Sequence, residues 1–258
     1  MSRRSIAVLP ALLIGSLLVV LAGCSSTPPI VVGSDLDNAP FAYMDKEGKA
    51  AGRDVDMMVA IAHMLDRELV WKRVEFDQLL STAEAGNVDV VCATLGVSPE
   101  RSQRVDFSRP YFRTELVVLV REDPAAPKSL YELKGRRVAA APGTTSQRAV
   151  TQLLPESEGV FEPDAERTAV ERLQAGEVDA IVMDGPAAEA ALAAQPGTLR
   201  RIPGLFTPED YALALPKSHG ALRAQIDNCL RTLQNGGMLA KWNGKYGLKE
   251  ISTASQPD

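Results

Sequence analysis

Glu84-Ala85-Gly86-Asn87-Val88-Asp89-Val90-Val91 and Gln174-Ala175-Gly176-Glu177-Val178-Asp179-Ala180-Ile181 are two copies of one pattern. Each copy follows an amphipathic stretch, Phe76 to Ala83 in the first case and Ala169 to Leu173 in the second. Each glycine stands where a helix ends in a left-handed residue. The Val-Asp-apolar run behind it reads as a short buried strand. Two similar αβ units about 90 residues apart predict two α/β lobes. Helix–glycine–strand is common in α/β proteins, so the flanking sequence has to support the division.

Upstream, Ile30-Val31-Val32-Gly33 reads as a first buried strand. Asp54 to Leu65 reads as a helix, with Asp54 as N-cap and Val55, Met58, Val59, Ala62 and Leu65 inward. Two extended runs, Glu115 to Val120 and Tyr211 to Leu215, bracket the second unit. If both cross between lobes, lobe one is discontinuous: 30–118 plus 211–250, with 119–210 as lobe two. Its helices from Leu222 to Tyr246 break at Asn235-Gly236-Gly237. Residues 251–258 read as a frayed tail, and His63 and His219 read as surface side chains.

The 258 residues are 45% hydrophobic and 24% charged, which suits a folded chain with a core and excludes disorder and collagen. The formal charge is −5. It becomes −7 (26 basic against 33 acidic side chains) if Arg3 and Arg4 leave with a leader. So acidic a chain carries no global footprint for nucleic acid. Two histidines and three cysteines argue against a His/Cys metal site, and no cofactor loop is present. Cys92 and Cys229 fall on apolar stripes and read as small core residues, with a disulfide left open.

The amino terminus reads as an address. Arg3-Arg4 precedes an apolar run from Ile6 to Leu21. As a helix that run spans about 24 Å, short of a ~30 Å hydrocarbon core. Leu21-Ala22-Gly23-Cys24 resembles the lipobox of bacterial lipoproteins. That implies a leader at 1–23, lipidation of Cys24 and a tether at 24–29, Ser-, Thr- and Pro-rich. An ordinary leader with a chance cysteine and an uncleaved anchor are the alternatives.

In open α/β sheets, ligands bind beyond the carboxyl ends of the strands. That rule selects Asp35 after the first strand, Thr94 and Gly96 after the first repeat strand, and Asp184 after the second. It also selects the loop Gly143-Thr144-Thr145-Ser146. This loop opens a helical run, so Thr144 and Thr145 sit where amides could meet an anion. It lacks the lysine and extra glycine of a phosphate loop, so a carboxylate fits better; a plain Thr or Ser N-cap is the other reading. Ser98-Pro99-Glu100-Arg101 opens another helix. Arg101 could fork onto a carboxylate or simply be a surface arginine.

The run Val32-Gly33-Ser34-Asp35…Ala39-Pro40-Phe41 and Gly52-Arg53-Asp54-Val55-Asp56, with Phe76-Asp77-Gln78-Leu79, resembles bacterial extracellular solute-binding proteins of family 3. Ser98-Pro99-Glu100-Arg101, Val105-Asp106-Phe107-Ser108-Arg109-Pro110-Tyr111 and Gly143-Thr144-Thr145-Ser146 continue the likeness in collinear order. The resemblance implies an α/β, two-lobed periplasmic-binding-protein (Venus-flytrap) fold with a ligand cleft between the lobes. It implies a monomer that captures a polar amino acid and delivers it to ABC permease subunits in the inner membrane. The location would be the periplasm or cell surface, with the lipid on Cys24 holding the chain to a membrane. Carried over by position, Arg101 would hold the ligand α-carboxylate with Thr145, the backbone after Gly143 and Thr94. Asp184 would pair with the α-ammonium, Phe76 would pack on the side chain, and Asp35 would face its polar end. Both charges would lie in an open, wet cleft. Asn38 and Gly96 depart from the family, standing where members often carry an aromatic and a hydroxyl residue. A dehydratase on the same fold, of the cyclohexadienyl type, and a ligand-sensing domain are the rival functions.

Overall fold

The computed structural model describes residues 27–161 and 168–251. The segment 1–23 expected to be a leader, Cys24 and residues 252–258 lie outside the described residues. From the amino end come strand β1 (Ile30–Ser34) and three short strands, β2 (Asp37–Asn38), β3 (Ala42–Met44) and β4 (Ala50–Ala51). Helix α1 (Arg53–Met64) and β5 (Leu69–Arg73) follow, then α2 (Leu79–Glu84), β6 (Val90–Val91), α3 (Pro99–Arg104) and β7 (Asp106–Phe107). The middle of the chain holds β8 (Phe112–Arg121), β9 (Arg137–Ala139), α4 (Thr145–Leu153), β10 (Glu158–Val160), α5 (Ala169–Gln174), β11 (Ala180–Asp184) and α6 (Gly185–Ala194). It closes with β12 (Leu199–Tyr211), β13 (Ala214–Leu215), α7 (Gly220–Asn235) and α8 (Met238–Lys245).

Two five-stranded sheets result, ordered β5-β1-β6-β13-β7 and β10-β9-β11-β8-β12. In each, the strand of the repeat runs parallel to an earlier strand: β6 beside β1, and β11 beside β9. The repeated aspartate does the same work twice. Asp89 accepts from the Val31 amide at 2.8 Å and Asp179 from the Arg137 amide at 2.9 Å. Each therefore fastens its loop to the start of the neighbouring parallel strand. Gly86 and Gly176 take φ of +70° and +75°, the left-handed position that glycine occupies without strain.

Burial explains the patterning of the strands. Leu116, Val118 and Val120 of β8 face the α4 side of the second sheet, while Val117 and Leu119 face α5 and α6. A strand covered on both faces needs a continuous apolar run, and β8 has one. On the first sheet, α1, α7 and α8 cover one face around Met58, Ile61, Ile226 and Leu230, and α2 covers the other. Cys92 and Cys229 are free and buried in that first core.

Helix α1 departs from its sequence reading. Gly52, at φ +122°, precedes it as cap, and a side chain there would collide with the Phe41 carbonyl. Asp54 lies inside the first turn and is fully buried, accepting from Arg53 Nη1 at 3.0 Å and the Tyr111 hydroxyl at 2.7 Å. Arg53 also donates to Asn243 and to the Tyr111 carbonyl, so one satisfied network ties α1 to α8 and to the entry of β8. The buried arc centres on Met57, Met58 and Ile61, which leaves Val59 outside it and 53% exposed.

Among the described residues the chain passes between the two five-stranded sheets twice, at Ser108–Tyr111 and at Ala212–Leu213. The strands on either side, β8 and β12, pair antiparallel from Phe112↔Tyr211 to Arg121↔Leu199, with one irregularity between Ile202 and Thr207. Beneath this junction Phe41, Phe112 and Tyr211 form an aromatic cluster with centroids 5.2–5.8 Å apart. Tyr211 continues upward from it to the site.

Candidate functional site

A cavity of about 850 Å³ lies between the carboxyl ends of the two sheets, within the range of small-molecule pockets. All nine positions selected from the sequence line it: Asp35, Asn38, Phe76, Thr94, Gly96 and Arg101 from the first sheet's side, and Thr144, Thr145 and Asp184 from the second.

Arg101 stands in the first turn of α3. The Ser98 hydroxyl caps that helix by accepting from the Arg101 amide at 3.2 Å, and Pro99 takes the first helical position. The guanidinium donates to the Gly96 carbonyl at 2.7 Å and to the Gly143 carbonyl at 3.0 Å. One arginine thus bridges the two sides of the cavity, with its guanidinium 5.8 Å from the centre of the Phe76 ring. Its five donors leave others to meet a ligand. At 8% exposure it is not the solvated side chain expected of an open cleft. Burial lowers its pKa, and the nearby Glu209 carboxylate opposes that shift.

Opposite it, Thr144 and Thr145 begin α4. The Thr144 hydroxyl caps the helix, accepting from the Gln147 amide and donating to the Ala141 carbonyl. Its side chain is therefore committed within the loop. Gly143, at φ +73°, makes the turn, and its amide donates to the Gln147 side chain at 2.7 Å. Thr145 donates its hydroxyl to Glu209 Oε2 at 3.0 Å.

Asp184 ends β11 and accepts a hydrogen bond from the Tyr211 hydroxyl. Burial raises its carboxyl pKa above the ordinary value, against the Tyr211 bond and the charge of Arg101, which both favour the ionised form. Asp35 closes another side of the cavity. Burial, and then the adjacent Asp37, push its pKa to about 7. Asn38 donates to Thr94 Oγ1 at 2.7 Å, so the polar pair fixes that wall where an aromatic ring was absent. Thr94 itself sits at φ +47°, an uncommon conformation for a β-branched residue.

Two residues of this neighbourhood were not selected from the sequence. Tyr211 was read only as the start of a crossing strand, yet it orients Asp184. Glu209 lies behind Gly96 and Thr145 at 4% exposure. A side chain on Gly96 would overlap Glu209 Oε2, so the missing hydroxyl at position 96 is the space that this carboxyl fills. Burial first, and the charge of Asp184 second, raise Glu209 to a pKa of about 7. Nothing local marks Glu209. It reaches the site through the pairing of β12 with β8 and the bridge between Gly96 and Tyr211.

Among the described residues no group of His, Cys, Asp and Glu side chains could hold a metal, and no helix is long and apolar enough to cross a membrane.

Residues 30–249 match the bacterial extracellular solute-binding proteins, family 3, and the chain belongs to that family. Among curated relatives it is similar to the probable amino-acid-binding protein YxeM of Bacillus subtilis (strain 168). The two are 28% identical over 252 residues, 93% of this chain and 95% of the relative. Among solved structures it is similar to an ancestral arginine-binding protein bound to arginine, with a TM-score of 0.77 and 29% identity. That match covers 86% of this chain and 99% of the other. A second is the ancestral amino acid-binding protein AncCDT-1, a precursor of cyclohexadienyl dehydratase, with a TM-score of 0.74 and 31% identity over 84% of this chain and 94% of the other. The fold is thus the expected two-lobed α/β architecture, and the chain is a solute-binding protein of a family whose members are extracellular.

Proposed function

We propose that this chain, as a member of that family, captures a polar α-amino acid in the cavity between its lobes and hands it to an ABC permease. The observation that carries this reading is the pairing of opposite charges across one cavity, Arg101 from the first sheet's side and Asp184 from the second's, with Thr145 facing Arg101. A zwitterion needs an anion-binding fork and a cation-binding acid at once. Phe76 offers an apolar face for the ligand's stem, and Asp35 offers a polar end suited to a cationic or amide side chain.

Binding works by closure, with no bond made or broken. Contacts from both lobes to one ligand favour the closed arrangement over the open one. A micromolar ligand binds with about 8 kcal/mol net of the cost of closure. The lipid on Cys24 would keep the protein at a membrane, in the periplasm or on the cell surface, beside the permease. Screening the common L-amino acids by thermal shift tests the reading. A ligand at 100 times its Kd adds about 2.7 kcal/mol of stability, or about 5–10 °C in a chain of this size. No shift with any of them would remove the amino-acid assignment. A dehydratase on the same fold draws on the raised carboxyl pKa of Asp184 and on the likeness to a dehydratase precursor. Aromatic product from prephenate or arogenate would favour it.

A further inference from the structure

Among the described residues, Glu209 is the buried acid beside the cavity that the zwitterion reading leaves unused. Its surroundings are specific. Thr145 Oγ1 donates to it at 3.0 Å, and it fills the space that a side chain on Gly96 would need. Arg101 of α3 and Arg148 of α4 face it with positive charge, and Asp184 of β11 faces it with negative charge. Tyr211, two residues along its own strand, is the remaining titratable neighbour, and its hydroxyl is engaged with Asp184. Arg148 is itself paired with Glu100 at 2.6 Å.

The direction of the Thr145 bond matters. A threonine hydroxyl has one hydrogen to give and lone pairs to receive. While Glu209 is ionised it can only accept, so the Thr145 hydrogen is spent on it. Thr145 then presents lone pairs to the cavity, which a carboxylate cannot use. The negative charge behind Thr145 also repels a second carboxylate. A proton on Glu209 reverses both effects: the acid donates to Thr145 Oγ1, and the Thr145 hydrogen turns to the ligand.

We propose that Glu209 is a proton-linked positioning residue: the cavity accepts an amino-acid carboxylate with Glu209 protonated and donating to Thr145, so that binding takes up one proton from solvent. The inference rests on the amino-acid reading and deepens it. The proton comes from water or buffer and stays on Glu209 Oε2 while the ligand is bound. The raised pKa of Glu209, about 7, makes the uptake visible near neutral pH. Because Asp35 titrates in the same range, wild type must be compared with a variant changed at Glu209 alone.

The probes are the L-amino acid giving the largest thermal shift and its decarboxylated amine, which lacks the group that Thr145 would serve. Calorimetry at pH 8.0 in phosphate and in Tris, whose ionisation enthalpies differ, counts the protons. Linkage gives about 0.9 proton more for the amino acid than for the amine in wild type, and no such difference in Glu209→Gln. The glutamine amide imitates the protonated acid by donating to Thr145. The ratio of wild-type to Glu209→Gln affinity for the amino acid should therefore fall about 15-fold from pH 7.0 to 8.5. Equal proton counts for amino acid and amine in wild type, or a ratio flat with pH, overturn the inference and leave the amino-acid reading standing. If Glu209→Gln does not fold, the wild-type comparison of amino acid with amine decides alone. If no amino acid binds, the underlying reading falls and the inference falls with it.

Discussion

Replacing Asp184 with asparagine separates charge from shape. The amide keeps an oxygen to accept from the Tyr211 hydroxyl, so the local packing survives while the negative charge goes. Two consequences of opposite sign follow. An ammonium left without its partner in a closed cleft costs about 2–5 kcal/mol, so amino-acid affinity should fall by roughly 30- to 4000-fold. Stability without amino acid should instead rise. Burial raises the Asp184 carboxyl pKa. The native state therefore holds that proton more tightly than the unfolded chain does, and stability is lost as pH rises from the unfolded value through the raised native one. The asparagine variant does not pay this. Each unit of the raised pKa is worth about 1.4 kcal/mol, and one kcal/mol is about 2–4 °C of Tm in a chain this long. Wild type and variant should melt together near pH 4 and diverge towards pH 8, with the variant more stable. Scanning fluorimetry from pH 4 to 8, beside calorimetry at pH 7, reads both effects. Affinity within threefold of wild type, or a variant less stable at neutral pH, would refute the reasoning.

Arg101→Ala should weaken amino-acid binding by about 30-fold or more, measured by calorimetry. It should also lower Tm without amino acid, because two charge-assisted bonds to the Gly96 and Gly143 carbonyls are lost, each worth about 1.5–3 kcal/mol. Arg101→Lys should lose affinity as well, since one ammonium cannot span both carbonyls and a ligand. Cys24→Ala should abolish metabolic lipid labelling and leave the protein soluble or unprocessed. Mass spectrometry finding an unmodified Cys24 in the wild type would end the anchor proposal.

The repeat around Asp89 and Asp179 was legible because a helix end, a glycine at positive φ and a buried strand follow one another in one short segment, although the aspartates themselves reach to Val31 and Arg137. The helix starts at Ser98 and in the loop Gly143-Thr144-Thr145-Ser146 were legible because a cap acts within three residues, though which residue of that loop caps α4 was left open. Asp54 was misread because a helix-start aspartate looks like an N-cap whatever lies across from it. What lies across is Tyr111, brought there by the turn into β8. Glu209 and Tyr211 were silent for a related cause. Their roles come from the register of β12 on β8 and from the absent side chain of Gly96, relations between distant segments that no local pattern encodes. Thr144 was legible as part of the loop, although its hydroxyl is committed to capping rather than turned to a ligand.

A crystal structure of the protein with its tightest amino acid tests the reading of the cavity most directly. The α-carboxylate should lie within hydrogen-bond reach of Arg101 and Thr145, and the α-ammonium within reach of Asp184. Density for the amino acid outside this cavity, or with its ammonium turned away from Asp184, would contradict it.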